Sequence, residues 1–274
     1  MKKIINFAKD NIRQIFEIVG LIVVILLPWT IDLQELFKQY IEQNYLKPEN
    51  IWSYIALTSG RLVASVILFV ILLGIIRKTN ADVVMNRRYN PYHDYCYAWY
   101  WFCARILGIK SCNLVNVPIY MQIKLIIRGT FYNYPLQDED YPIVEPEPEC
   151  CVSKTHGNKD KMIINIILED TFPIEEKQLN KSTRELYTIK ISRYNGSNDR
   201  HFSNKFVEET EKVIKEFKRI DTVNLFATTN PKNTVHIARR VFGSVDRGNI
   251  GHLFVFQQNK DGIRMFESKG HKVY

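Results

Sequence analysis

At 274 residues the chain has room for a small membrane element and one globular domain of ordinary size, not for a string of domains. A net charge of +8 fits first the basic residues that flank membrane segments and meet anionic headgroups, and a polyanionic ligand such as a nucleotide or oligonucleotide is the sharper second reading, compatible with it. The five cysteines (Cys96, Cys103, Cys112, Cys150, Cys151) are odd in number, and their spacing excludes a disulfide framework and, with His93, fits no zinc ribbon or finger, so reduced thiols in a cytosolic compartment are expected.

The first element is an uncharged run, Ile18–Ile31, brought to a workable membrane-crossing length by Ile15, Phe16 and Glu17. It ends in Leu27-Pro28-Trp29-Thr30-Ile31-Asp32, which offers no small-residue cleavage site, so a retained anchor is expected rather than a signal peptide. The second is Leu62–Ile76, extending back to Ile51 if Arg61 is tolerated. Together they predict a transmembrane helical hairpin over residues 1–78.

Lys2, Lys3, Lys9 and Arg13 precede the first helix, and Arg77, Lys78, Arg87 and Arg88 follow the second. The connection, residues 32–50, carries Lys38 and Lys47 against Asp32, Glu35, Glu42 and Glu49. The positive-inside rule therefore puts both termini in the cytosol. An arginine inside a span is costly unless paired or wet. At about 1.5 Å per residue, Asp32 and Arg61 stand at nearly the same height. An Asp32–Arg61 pair is thus geometrically possible, within or between protomers; the other readings are that Arg61 snorkels to the outer interface or lines a water-filled path. Gly60 and Ala64 form a small-xxx-small pair, a weak packing signal.

Residues 79–149 read as an aromatic-rich juxtamembrane segment followed by an acidic, proline-rich linker. Residues 92–102 are dense in Tyr and Trp, and Met121–Ile127 is apolar but carries Lys124. Rings of this kind favour the headgroup layer, so helices on the cytosolic membrane face, or between membrane and sensor, are expected; the alternative is part of a soluble core. The linker, Tyr134 to Pro148, carries Asp138, Glu139, Asp140, Glu145 and Glu147 and holds the expected domain boundary.

Residues 150–274 read as an α/β domain. Strands are expected at Met162–Leu168, Leu186–Arg193, Thr222–Ala227 and Leu253–Gln257. Helices are expected at Ser203–Arg219, with Phe206, Val207, Thr210, Val213, Ile214 and Phe217 on one face, and at Pro231–Val241, capped by Asn230. The alternation implies a parallel sheet with covering helices, a Rossmann-like half, which binds ligands beyond the carboxyl ends of its strands. Three places meet that description: Ser192-Arg193-Tyr194, Ala227-Thr228-Thr229-Asn230 leading into Lys232, and Gln257-Gln258. Thr228, Thr229, Asn230 and Lys232 would offer donors to a phosphate at the helix start, against the plainer reading of an ordinary strand-to-helix turn. Arg200-His201, in the loop before the first helix, is a further candidate anion contact. No P-loop, G-x-G-x-x-G motif or catalytic triad is present, and nothing calls for a cofactor or metal.

The passage Val223-Asn224-Leu225-Phe226-Ala227-Thr228-Thr229-Asn230-Pro231-Lys232, running through Ala238 and Arg239 to Leu253-Phe254-Val255-Phe256, resembles SAVED domains, relatives of CARF sensors used in bacterial CBASS immunity. The resemblance covers roughly residues 160–260. It implies a SAVED/CARF-like sensor of a cyclic oligonucleotide made by a CD-NTase-type nucleotidyltransferase, with no part for duplex nucleic acid. It also implies two helices in the bacterial inner membrane that oligomerise and disrupt the bilayer to abort infection, without enzymatic turnover. The family's domain usually has two CARF-like halves; one clear half and a fragment are legible here, so either a neighbouring protomer completes the pocket or one half is divergent. Ligand contacts are expected at Ser192, Arg193, Arg200, Thr228, Thr229, Asn230, Lys232 and Gln257, with Asp32 and Arg61 at the membrane element. A CARF-type membrane effector of a type III CRISPR system, a membrane-anchored nucleotide-processing enzyme and a tethering scaffold are the competing readings.

Overall fold

The computed structural model describes residues 2–30, 51–88, 91–155, 162–196, 198–217, 219–243, 250–259 and 262–274. The chain forms two compact units, Met1–Val84 with Trp101–Lys110, and Met85–Tyr100 with Ser111–Tyr274. The segment read as 79–149 is thereby divided, and most of it joins the second unit.

In the first unit, α1 (Lys2–Asp10) leads into α2 (Ile12–Thr30), which packs on α3 (Ile51–Thr79). Ile12–Thr30 and Ser59–Thr79 are long and apolar enough to cross a membrane. Their outward side chains are bare of protein: Phe16 is 69% exposed and Val66 59%, the reverse of a soluble core helix. Between the helices, the Ser65 hydroxyl donates to the Ile25 carbonyl at 2.8 Å, and Gly20 lies beside Leu72. Gly60 faces open space, so its smallness serves no contact among the described residues.

The basic end of the hairpin is clasped by side chains. Glu17 accepts from Arg13 Nε at 3.0 Å and from Asn80 Nδ2 at 2.8 Å, and Asn80 also donates to the Leu107 carbonyl. Arg77 donates to the Arg105 carbonyl at 2.8 Å, near the end of α4 (Tyr97–Arg105). Gly108 (φ +79°) lies against Arg77, and a Cβ there would come within 3.0–3.1 Å of that residue. Arg61 is part-exposed on α3; Asp32, its expected partner, lies outside the described residues.

The second unit is built on a six-stranded sheet. Its strands are β3 (Cys151–Thr155), β4 (Ile163–Glu169), β5 (Tyr187–Ser192), β6 (Ile220–Ala227), β7 (Ile250–Phe256) and β8 (His271–Lys272), after a short pairing of β1 (Val84–Met85) with β2 (Ser111–Cys112). The sheet order is β3-β5-β4-β6-β7-β8; β5, β4, β6 and β7 run parallel, and the two edge strands are antiparallel. The four parallel strands are those expected from sequence, within a few residues at each end.

Register explains the layers. Ile166, Ile189, Leu225 and Val255 stand side by side across the sheet and are fully buried. They face the helical layer formed by α5 (Ile119–Ile127), α7 (Asn204–Lys215) and α8 (Pro231–Ile237, continued by a π turn to Phe242). The crossovers β5–α7–β6 and β6–α8–β7 both advance the same way along the sheet, and right-handed crossovers therefore put both helices on this face. One residue along, Ile167, Phe226 and Phe256 point to the opposite face and pack with Ile174, Leu179 and Phe266 from the connecting loops. On that face Asn165 donates to the Thr183 carbonyl at 2.6 Å and to Thr188, and Asn224 donates to Asn165, so these buried amides are hydrogen-bonded. Thr183 belongs to α6 (Lys181–Arg184).

Helix α5 belongs to the core of the second unit, with Ile119, Met121, Ile123, Leu125 and Ile126 buried. The cations that interrupt its apolar run are accounted for there. Lys124 donates to the Lys272 carbonyl at 3.3 Å, Arg128 to the Val273 carbonyl at 3.1 Å, and both lie over the Tyr97 ring.

Candidate ligand cleft

The direction of crossover reverses at β4: the chain moves to β5 on one side, then back across to β6 on the other. Such a switch point leaves a crevice beyond the carboxyl ends of β4 and β6. A cleft of about 420 Å³ lies there, bounded by Thr171 and Phe172 after β4, by 227–231 after β6, by 257–259 after β7, and by 115–122 leading into α5. Tyr92, Arg200 and Arg264 complete its wall.

Five of the eight residues expected at the ligand line this cleft: Arg200, Thr228, Thr229, Asn230 and Gln257. Their free chemistry differs from that expectation. The Thr228 hydroxyl donates to the Phe172 carbonyl at 2.8 Å and accepts from the Asp170 amide. Asn230 caps α8 by accepting from the Asn233 amide and donates to the His201 carbonyl. Gln257 accepts from the Ile119 amide at 3.0 Å, satisfying an otherwise bare N–H at the start of α5. Thr229 is 2.7 Å from the Thr234 hydroxyl, which itself donates to the Asn230 carbonyl. The Thr229 proton is therefore committed to Thr234, and only its lone pairs face the cleft.

Ser192, Arg193 and Lys232 do not line the cleft. Arg193 is buried and paired with Asp170, and its guanidinium also meets the His201 ring and the Asp199 carbonyl. Asp170 in turn accepts from the Asn230 amide and from Asn233 Nδ2, each at 2.9 Å. Burial holds the Asp170 carboxyl above its ordinary value, against the downward pull of Arg193 and these amides. The Ser192 hydroxyl accepts from the Tyr194 amide. Lys232 binds Asp138 of the acidic segment at 2.6 Å and lies over the Phe202 ring; that contact holds the Asp138 carboxyl below its ordinary value.

Other residues complete the lining. Gln122 is only 6% exposed; its Nε2 donates to the Val117 carbonyl at 2.8 Å and its Oε1 has no partner. Gln258 Nε2 is likewise buried and unpartnered. The Arg264 guanidinium lies 4.0 Å over the Phe172 ring, a flat aromatic–cation platform. Tyr92 is held protonated, its hydroxyl pushed up to about 12 by burial and by the charges of Asp94 and Glu267. The described lining holds two guanidinium groups and no carboxylate. Such a site attracts an anion and offers hydrogen bonds and a stacking face to a heterocycle. Among the described residues no group of three or more His, Cys, Asp or Glu side chains is arranged to hold a metal ion.

The full length of the chain, residues 1–274, matches the SMODS- and ubiquitin system-associated 2TM effector domain. This chain belongs to that family. The two apolar helices of the first unit are the two spans the family's description calls for, and this effector is a membrane protein. No curated protein matches its sequence. Among solved structures it is similar to an Acinetobacter baumannii Cap4 SAVED/CARF-domain receptor in complex with the cyclic trinucleotide 3′3′3′-cAAA. That likeness has 9% identity and a TM-score of 0.40, and it covers 57% of this chain and 36% of the receptor. The same receptor with 2′3′3′-cAAA gives 9% identity and a TM-score of 0.42, over 64% of this chain and 41% of the receptor. The effector thus spans well under half the length of those receptors, and so distant a likeness carries no ligand chemistry across.

Proposed function

We propose that this chain is a ligand-gated membrane effector of bacterial antiphage defence. A cyclic oligonucleotide, supplied by a CD-NTase-type nucleotidyltransferase, binds in the switch-point cleft. Binding favours an assembled state, and the gathered hairpins, with Asp32 and Arg61, make the inner membrane leaky without any bond being broken. The basic residues flanking the spans support cytosolic termini, which would give the cleft access to a cytosolic messenger. Arg200 and Thr229 are the expected contacts that line the cleft with chemistry still available, and Arg264 and Phe172 join them.

The observation that carries this reading is the cleft itself: a pocket at a switch point whose described lining holds two arginines and no carboxylate. The test uses the full chain in nanodiscs, titrated by calorimetry with cyclic di-, tri- and tetranucleotides. Binding is expected for at least one ring, weakened about tenfold or more by Arg264→Ala, since hydrogen bonds to charged groups contribute about 1.5–3 kcal/mol. The same ring should release dye from liposomes carrying the protein. Absence of binding across the panel defeats the proposal, and cleavage of the ring during incubation would favour the enzyme reading.

A further inference from the structure

Residues Trp101–Lys110 are the stretch beyond residue 84 that packs with the apolar helices rather than with the sheet. Their backbone is tied to the end of the second span. Arg77 donates to the Arg105 carbonyl at 2.8 Å and to the Ile106 carbonyl at 3.3 Å, and Asn80 donates to the Leu107 carbonyl at 3.0 Å. That span stays bare and apolar almost to its end, with Ile75 55% exposed, so Arg77 and Lys78 mark the level where hydrocarbon gives way to headgroups. The tied segment is held at that level.

The segment has two sides. Cys103, Leu107 and Ile109 are buried, whereas Trp101 and Arg105, one turn apart on α4, and Lys110 beyond it are exposed. Trp101 keeps 45% of its surface free of protein. An indole is poorly placed in bulk water and well placed where its ring meets acyl chains and its N–H meets headgroups. The charge around it is positive. Lys9, Arg13, Arg77, Lys78, Arg105 and Lys110 stand against Asp10, Glu17 and Asp82, and Glu17 is engaged by Arg13 and Asn80.

We propose that Trp101–Lys110 is an interfacial anchor docked on anionic phospholipid, with the Trp101 ring in the headgroup layer and Arg105 and Lys110 beside the lipid phosphates. The surface continues the lipid-facing sides of the two spans, and its charge is complementary to that of the headgroups. This docking needs no messenger and does not depend on the cleft.

The test uses the full chain in nanodiscs of equimolar phosphatidylcholine and phosphatidylglycerol. With Trp29, Trp52 and Trp99 each replaced by Phe, Trp101 is the sole tryptophan. Lipid brominated near the headgroup end of its acyl chain should quench it strongly, lipid brominated near the chain terminus weakly, and aqueous iodide little. Quenching by iodide alone places Trp101 in water, strongest quenching by the deep label places it in hydrocarbon, and resistance to all three places it under protein, a second copy included; each overturns the anchor. Should that variant fail to insert, Trp101→Phe in the otherwise wild-type chain should lose shallow-label quenching, and no loss overturns it as well. The wild type should bind spin-labelled phosphatidylglycerol over phosphatidylcholine by about twofold to fivefold, less so at about 1 M salt. Arg105→Gln with Lys110→Gln should lower that preference by about twofold, while Arg105→Lys with Lys110→Arg retains it. No preference in the wild type, or the same preference in the glutamine variant, overturns the part of these two cations.

Discussion

Removing Arg193 should expose the cost of the charge it neutralises. Arg193→Met leaves the fully buried Asp170 with two amide donors and no cation. The carboxyl then escapes by taking a proton. Holding it protonated at pH 7, from an ordinary value near 3.9, spans roughly three pH units at about 1.4 kcal/mol each, so about 4 kcal/mol is the upper bound on the deficit, because burial already holds the wild-type carboxyl above that value. That agrees with the roughly 3–5 kcal/mol typical of breaking a buried pair from one side. At pH 5 the same arithmetic leaves about 1.5 kcal/mol. Thermal melts of the full chain in detergent, followed by tryptophan fluorescence at the two pH values, should show a large deficit at pH 7 that shrinks by more than half at pH 5. The double variant Asp170→Asn with Arg193→Met should recover most of the loss, because it removes the charge together with its partner. A deficit below about 1 kcal/mol at pH 7, or one independent of pH, refutes this account of the pair.

Burial, and then the charge of Arg193, lower the His201 pKa, with Asp170 opposing; burial and the Lys232, Arg239 and Arg240 charges lower that of His236. In each case the unfolded chain takes the proton first as pH falls, so stability is lost below about 6.5. Melting temperature should drop between pH 7.5 and 5.5, and His201→Gln should flatten part of that slope; an unaltered slope removes His201 from the explanation. Gly108→Ala meets both left-handed backbone strain and the Arg77 contact, whereas Gly129 (φ +54°) has open space about its Cβ position. Gly129→Ala should therefore destabilise by about 1 kcal/mol and Gly108→Ala by clearly more, within roughly 1–3 kcal/mol; equal melts would show that the close approach is relieved without cost.

The parallel strands were legible because they are short apolar runs bounded by turn residues, as doubly covered strands must be. Strand β3 was not: Cys151–Thr155 is exposed along its whole length and shows no alternation. Helix α5 misled for a physical reason. An apolar run interrupted by Lys124 and Arg128 looks interfacial until the backbone carbonyls of Lys272 and Val273, distant in sequence, are seen to receive both cations. Of the candidate site, the strand ends were legible, since fold topology alone marks them. What each side chain does there was not. Arg193 has the look of an anion contact, yet the pairing of Glu169 with Ser192 sets Asp170 beside it, and that register is invisible before the strand order is known. Gln122, Phe172 and Arg264 carry no local pattern; only the fold brings them to one cleft.

Four side chains beneath the cleft, Asp170, Arg193, Asn230 and Asn233, fasten the ends of β4 and β5, the loop at His201 and the opening turn of α8 to one another. Their polar atoms are spent inward. Drift in this lineage is thereby channelled: the foundation tolerates little change, while the mouth, at Phe172 and Arg264, is free to diverge. Homologues answering to different signals should differ at those two positions above an invariant quartet.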